Sequence, residues 1–207
     1  ADKAGRKVVM IIGTTVTAIA GFLYVLIHYF YTSNQDDLET GMMGVWLFLG
    51  LRFFHGLSTG FRPAGSSALL TDIVPVDRRG EALGFLGVAG NTGMAGGPAL
   101  GSLLTVEYGY EEMFICSSLL GIVALFLTLK LPETLPNARP IRRSDLNVFK
   151  GKNFEISVWP AALSLLPVAC AFGVFLTITP DFVSDLGYQY KGVFNTIIVV
   201  ASISMRF

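Results

Sequence analysis

Ala1-Asp2-Lys3-Ala4-Gly5-Arg6-Lys7 is followed without a break by Val8-Val9-Met10-Ile11-Ile12 and an apolar run that continues to Tyr31. A hydrocarbon core of about 30 Å needs roughly 20 apolar residues in helical form, which Val8–Tyr31 supplies. Five further stretches read the same way: Met42–Thr71, Ala82–Val106, Met113–Leu131, Val158–Val183 and Val193–Met205. None alternates strictly between apolar and polar residues, so the runs indicate helices and not the strands of a barrel. The fold class expected is an all-α polytopic membrane protein with six transmembrane helices.

Composition agrees. Of 207 residues, 14% are charged and 52% hydrophobic, with a mean hydropathy of +0.59, against about 25% charged in soluble chains. The net charge is zero and names no partner. Its distribution is informative. If the helices alternate in direction, Lys3, Arg6, Lys7, Arg78, Arg79, Lys130, Arg139, Arg142, Arg143, Lys150, Lys152 and Arg206 share one side. Lys191 is the basic residue of the other side, which carries Asp36, Asp37, Glu39, Glu107, Glu111 and Glu112. Loops rich in Lys and Arg are cytoplasmic, so the first residues and the 132–157 loop are expected inside the cell. Pro132, Pro136, Pro140 and the basic residues beyond them suit a loop near anionic headgroups, with a short amphipathic segment around Asp145–Phe154. Cys116 and Cys170 lie within apolar helices, so no disulfide framework is indicated. Metal ligands, a nucleotide loop and a nucleophile elbow are not visible; the Gly93-x-x-Gly96-Gly97 run lacks a preceding strand. Cofactors and metals are not expected, nor are nucleic-acid partners.

Ala-Asp-Lys-x-Gly-Arg-Lys resembles the second half of the major facilitator superfamily loop signature, G-x-x-x-D-(R/K)-x-G-R-(K/R). In that family it forms a cytoplasmic turn between the second and third helices. The resemblance implies that this chain is a fragment that opens within the signature and covers the third to eighth of twelve helices. Residues 1–131 would then hold helices three to six of the N-terminal half, 132–157 the central cytoplasmic loop, and 158–207 helices seven and eight. Arg52-Phe-Phe-His-Gly-Leu-Ser-Thr-Gly60 is similar to the family's fourth-helix motif R-x-x-q-G-x-g, with His55 where glutamine is common. Gly93 followed by Gly97-Pro-Ala-Leu-Gly101 resembles the fifth-helix signature g-x-x-x-G-P-x-x-G of exchangers and drug exporters. Val74–Gly80 is similar to the loop between helices four and five, and Leu131-Pro-Glu-Thr to the family's closing segment of this half.

Physical chemistry speaks for some of these positions independently. Arg52 lies roughly 15 Å inside an apolar helix, where a charge costs about 2.5–3.5 kcal/mol on insertion scales. Arg52, His55, Thr59, Arg62 and Ser66 fall within an arc of about 80°. Such a row reads as a wall of an aqueous cavity and a pathway for substrate or protons. The plainer alternatives are that Arg52 ties helices, Arg62 snorkels to the interface, and His55 is a hydrogen-bonded neutral ring. Gly93, Gly97 and Gly101 recur every four residues, a spacing that lets backbones approach, and Pro98 bends the segment. These four residues are the expected packing and rocking surface. By resemblance, Asp2, Arg6 and Asp72 form a charge network that gates the cytoplasmic face; Asp72 points about 200° away from Arg52 on the helical wheel.

The function implied is secondary active transport of a small organic solute by alternating access, in proton-coupled efflux of multidrug or metabolite type. Partners would be that solute, protons and the lipid bilayer, with a monomer as the working unit in a bacterial inner membrane. A sugar or metabolite permease is the rival within transport. A membrane-embedded enzyme would need paired acids or a nucleophile with its base at one depth, which the sequence does not display. A receptor would need neither the glycine strips nor Arg52.

Overall fold

The computed structural model describes residues 4–34, 38–136 and 159–204, and among them all regular structure is helical. Asp2, Asp36, Asp37, most of the 132–157 loop with its Asp145–Phe154 segment, and Met205 lie outside the described residues.

Helix α1 spans Arg6–Ser33, 28 residues or about 42 Å by rise per residue. The chain enters it at Gly5 with φ 102, a left-handed conformation that glycine adopts without penalty. Helices α2 (Leu38–Thr59) and α3 (Phe61–Ile73) occupy the stretch that the sequence predicts as one helix. Gly60 between them keeps helical angles, φ −66 and ψ −24. Pro63 explains the interruption: it has no N–H for the Thr59 carbonyl, and its ring crowds that oxygen. A single 3-10 turn, Val76–Arg78, leads into α4 (Arg79–Glu107), which contains Pro98. Gly109, at φ 118, makes the turn into α5 (Tyr110–Leu129). Helices α6 (Trp159–Asp185) and α7 (Gly192–Ser204) follow.

Helices α1 and α5 and the Ala162–Asp185 part of α6 are each long and apolar enough to cross a membrane. The apolar part of α7, Gly192–Ala201, is shorter. The α2–α3 stretch and α4 are less apolar because they carry Arg52, His55 and Arg62 in one case and a glycine series in the other. Large side chains such as Leu26, Phe53, Phe54, Phe126 and Leu165 stand exposed on the helices, an outer surface suited to lipid.

Contacts divide the chain into two compact units. The first comprises Ala1–Gly87 and Glu107–Arg139, and α1 is its centre, packed against α5, α2 and α3. Small residues make this possible. Ala18, Ala20, Thr14 and Ser118 are buried, and a Cβ on Gly121 would sit 2.8 Å from the Ala18 Cα. Similarly, a Cβ on Gly65 of α3 would fall 2.6 Å from the Met10 Cγ and 3.2 Å from the Arg6 carbonyl. Close backbone approach of this kind replaces hydrophobic driving force between helices in lipid. Gly121→Leu should therefore push α5 off α1 at a cost of about 1–3 kcal/mol or more. Denaturant unfolding in detergent checks this; an unchanged midpoint would show that α5 can slide without loss.

The second unit comprises Val88–Val106 and Pro140–Phe207, so it holds most of α4 with α6 and α7. Here the Thr196 hydroxyl donates to the Ala95 carbonyl at 2.7 Å. Gly192 sits so tightly on the Pro98 carbonyl that any Cβ there would overlap it.

Candidate functional site

One end of the first unit gathers a polar network from three segments. Arg6 opens α1 with no side-chain cap at Gly5, leaving the first N–H groups of the helix in need of partners. Glu133, just past α5, supplies them: its Oε1 accepts from the Arg6 N–H at 2.9 Å and its Oε2 from the Lys7 N–H at 3.1 Å. The same carboxylate accepts from the Thr134 and Leu135 N–H groups, each at 3.1 Å. A carboxylate at a helix N-terminus also gains from the helix dipole. Burial pushes the Glu133 carboxyl up, but the N–H groups of Leu135, Arg6, Lys7 and Thr134 together outweigh it and hold the group below its ordinary value.

Asp72 stands in the last turn of α3, where the dipole disfavours an anion, and two donors compensate. The Thr134 hydroxyl donates to its Oδ2 at 2.8 Å, and the Arg6 Nε donates to the same oxygen at 3.2 Å. The Thr134 hydrogen bond, then that of Arg6, hold the Asp72 carboxyl below its ordinary range against a smaller opposing effect of burial. The structure thus brings together Arg6 and Asp72, the pair that the family resemblance implies. Asp2, the third expected member, is outside the described residues. Glu133 and Thr134 were not foreseen as members. The Leu131-Pro-Glu-Thr segment is visible in the sequence, but only the fold shows that it returns to the start of α1.

The row on α2 and α3 is arranged in two ways. His55 and Arg62 turn toward α1: the Tyr24 hydroxyl lies 3.3 Å from His55 Nδ1, and a Cβ on Gly13 would lie 3.0 Å from the Arg62 Cγ. The Arg62 Nε is buried with no hydrogen-bond partner among the described residues. Arg52 and Thr59 are exposed, and Ser66 is half-buried. The Thr59 hydroxyl donates to the His55 carbonyl at 3.0 Å and the Ser66 hydroxyl to the Pro63 carbonyl at 3.2 Å. Both hydroxyls thereby spend their protons on their own helix and present only lone pairs outward. The row can offer a guanidinium donor at Arg52 beside hydroxyl acceptors.

Among the described residues, nothing lies within 4 Å of where a Cβ would stand on Gly93, Gly97 or Gly101. Gly93 and Gly97 are exposed and Gly101 is half-buried; Pro98 lies inside the helix with its carbonyl against Gly192 of α7.

Long apolar helices, an apolar exterior and charged networks confined to helix ends and one polar row define an integral, polytopic membrane protein. Residues 1–207 match the family model of the Major Facilitator Superfamily, and the chain belongs to that family. It is 30% identical to the multidrug resistance protein MdtG of Serratia proteamaculans over 146 residues, 69% of this chain and 35% of the relative. It is 28% identical to multidrug resistance protein 1 of Bacillus subtilis over 143 residues, 68% of this chain and 33% of that one. A multi-drug resistance efflux pump PmrA homolog of Lactococcus lactis is 30% identical over 146 residues, 70% of this chain and 32% of the relative. The matched part thus spans about a third of the length of these curated relatives. No solved structure matches the chain.

Proposed function

We propose that this chain is part of a secondary active transporter that moves a small organic solute by alternating access, in proton-coupled efflux. The observation that carries the reading is Arg52, a guanidinium standing open on an apolar helix of an integral membrane protein. Insertion energetics disfavour such a residue by about 2.5–3.5 kcal/mol, so it is retained for a partner that arrives or changes. The names of the relatives, multidrug resistance proteins and in one case a multi-drug resistance efflux pump, support a small organic solute as cargo and efflux as its direction.

In this reading Arg52, His55, Thr59, Arg62 and Ser66 line the pathway of substrate and protons. Arg6, Asp72 and Asp2, reinforced by Glu133 and Thr134, form the cytoplasmic gate. Gly93, Gly97, Pro98 and Gly101 form the surface along which the two halves rock. Residues 1–131 and 158–207 belong to the two halves and 132–157 to the loop between them, in a bacterial inner membrane, with a monomer as the working unit.

Alternating access has a direct test at Thr59. In the full-length protein, a cysteine at this position should react with impermeant thiol reagents from either side of the membrane, and substrate should shift the ratio. Labelling from neither side would remove α2 from the pathway. Orientation is tested at loops. A cysteine at Asn34 should be labelled from outside intact cells and one at Asn137 should not; equal labelling would overturn the assignment of the basic loops to the cytoplasm.

A further inference from the structure

Helix α5 runs for 20 residues, about 30 Å by rise per residue, which matches the thickness of a hydrocarbon core. The exposed rings of Tyr108 and Tyr110 mark one interface at its start. Lys130, its C-cap residue, therefore stands at the level of the lipid headgroups at the other end. Between Glu112 and Lys130 the helix carries no charged residue. Its inner face is fixed by Gly121 against Ala18 and by Ser118 against Gly21. Lys130 follows Gly121 by nine residues, about 180° around the helix. It thus shares the outer strip with the exposed Leu119, Val123 and Phe126.

An interfacial lysine ordinarily extends its ammonium away from apolar surface into water. Here the ammonium lies over the Phe126 ring, one turn back along the helix, with Nζ 4.5 Å from the ring centroid. That is within the range of about 6 Å for cation–π attraction. The ring attracts the charge but does not accept the three N–H groups as oxygens would. The helix dipole also favours a cation here, but with only about half a counter-charge. The acids at this end of the unit are already engaged. Glu133 accepts from four backbone N–H groups, and Asp72 from Thr134 and Arg6. Among the described residues, Lys130 has no ion pair.

We propose that the Phe126–Lys130 corner of α5 binds one phospholipid of net negative charge, with its phosphate on the Lys130 ammonium and its glycerol and first methylenes against the Phe126 ring. The cation is complementary to an anionic headgroup, and the strip that continues from it to Leu119 is apolar. Both parts of one lipid molecule are thus matched at the depth where they meet. The site does not depend on the transport reading, and it involves neither the row on α2 and α3 nor the Arg6–Asp72 tie.

The test places the photocrosslinker benzoylphenylalanine at the exposed Leu127 of the full-length protein. The protein is held in nanodiscs of equal parts phosphatidylglycerol and phosphatidylcholine with identical acyl chains, and lipid adducts are counted by mass spectrometry. The phosphatidylglycerol adduct should exceed the other by about fivefold, the effect of one lysine at an anionic surface. The same crosslinker at Leu120, exposed near the middle of α5, should give equal adducts. Lys130→Gln should equalise the adducts at Leu127, Lys130→Arg should keep the excess, and Phe126→Leu should reduce it. All these side chains are exposed, so the variants leave the packed face of α5 untouched. An excess that survives Lys130→Gln, or that is as large at Leu120, would assign the anionic lipid to other basic residues or to the bilayer at large and overturn the proposal. Equal adducts at Leu127 in the unaltered sequence, loss of the excess in Lys130→Arg, or indifference to Phe126→Leu would overturn it as well.

Discussion

If the chain belongs to a proton-coupled transporter as proposed, Arg52→Ala should abolish transport by the full-length protein and Arg52→Lys should retain only part of it. Arg52 is exposed on α2, two turns from the buried Ser58 and within an otherwise apolar surface that includes Phe53 and Phe54. Its planar fork pairs best with a carboxylate, carried either by the solute or by a helix outside this chain. Removing one partner from such a pair inside a membrane leaves the other unpaired; the cost in buried pairs is about 3–5 kcal/mol, a loss of more than about 100-fold. Lysine keeps the charge but not the two parallel donors, hence the partial activity. The assay is flux in proteoliposomes at matched protein levels. Wild-type rates in Arg52→Ala would reduce the residue to a packing role.

The second large effect is expected at the helix-end network. Asp72→Ala removes the acceptor shared by the Arg6 Nε and the Thr134 hydroxyl. Arg6→Ala removes the guanidinium and leaves Asp72 at an unfavourable helix terminus. If the tie is a gate as proposed, each variant should slow transport by about tenfold or more while substrate affinity stays within about twofold, since a gate biases a conformational equilibrium without touching substrate. Glu133→Gln should act in the same direction but more weakly, since a neutral amide oxygen still accepts N–H bonds. Lost affinity with an unchanged conformational distribution would count against a gate.

The pH response of this network follows from the sign of its shifts. Asp72 is held below its ordinary value of 3.8 by the Thr134 hydroxyl and Arg6. Its contribution is fully present above that value and disappears only as pH falls through the lowered one. The tie therefore persists at physiological pH on either side of a membrane. Crosslinking between cysteines at Lys7 and Ile73 should be constant from about pH 5 to 8; a transition in that window would assign the titration to this network.

Much of this architecture is legible in the sequence because lipid imposes a harsh rule: backbone groups must be satisfied within the segment, so long apolar runs become helices. The runs beginning at Val8 and Met113 correspond to α1 and α5 with small shifts at their ends. The interruption at Gly60 was harder to read, since Pro63 lies within an apolar run and a proline near a helix start and one within a helix look alike. Packing was less legible still. Gly93, Gly97 and Gly101 of α4 meet nothing among the described residues, while the close contacts fall at Gly21, Gly65, Gly121 and Gly192, scattered in four helices. Small residues show that close approach is possible; only the fold shows where it happens. Arg6 and Asp72 could be paired from the family resemblance, but Glu133 and Thr134 required the return of the chain after α5 to the start of α1.

Secondary transport is tested most directly by uphill movement of a fluorescent organic solute in proteoliposomes holding the full-length protein and an imposed proton gradient. The expected result is accumulation against the solute gradient that collapses on adding a protonophore and is absent with Arg52→Ala. Downhill equilibration alone, insensitive to the protonophore and unchanged by Arg52→Ala, would contradict it.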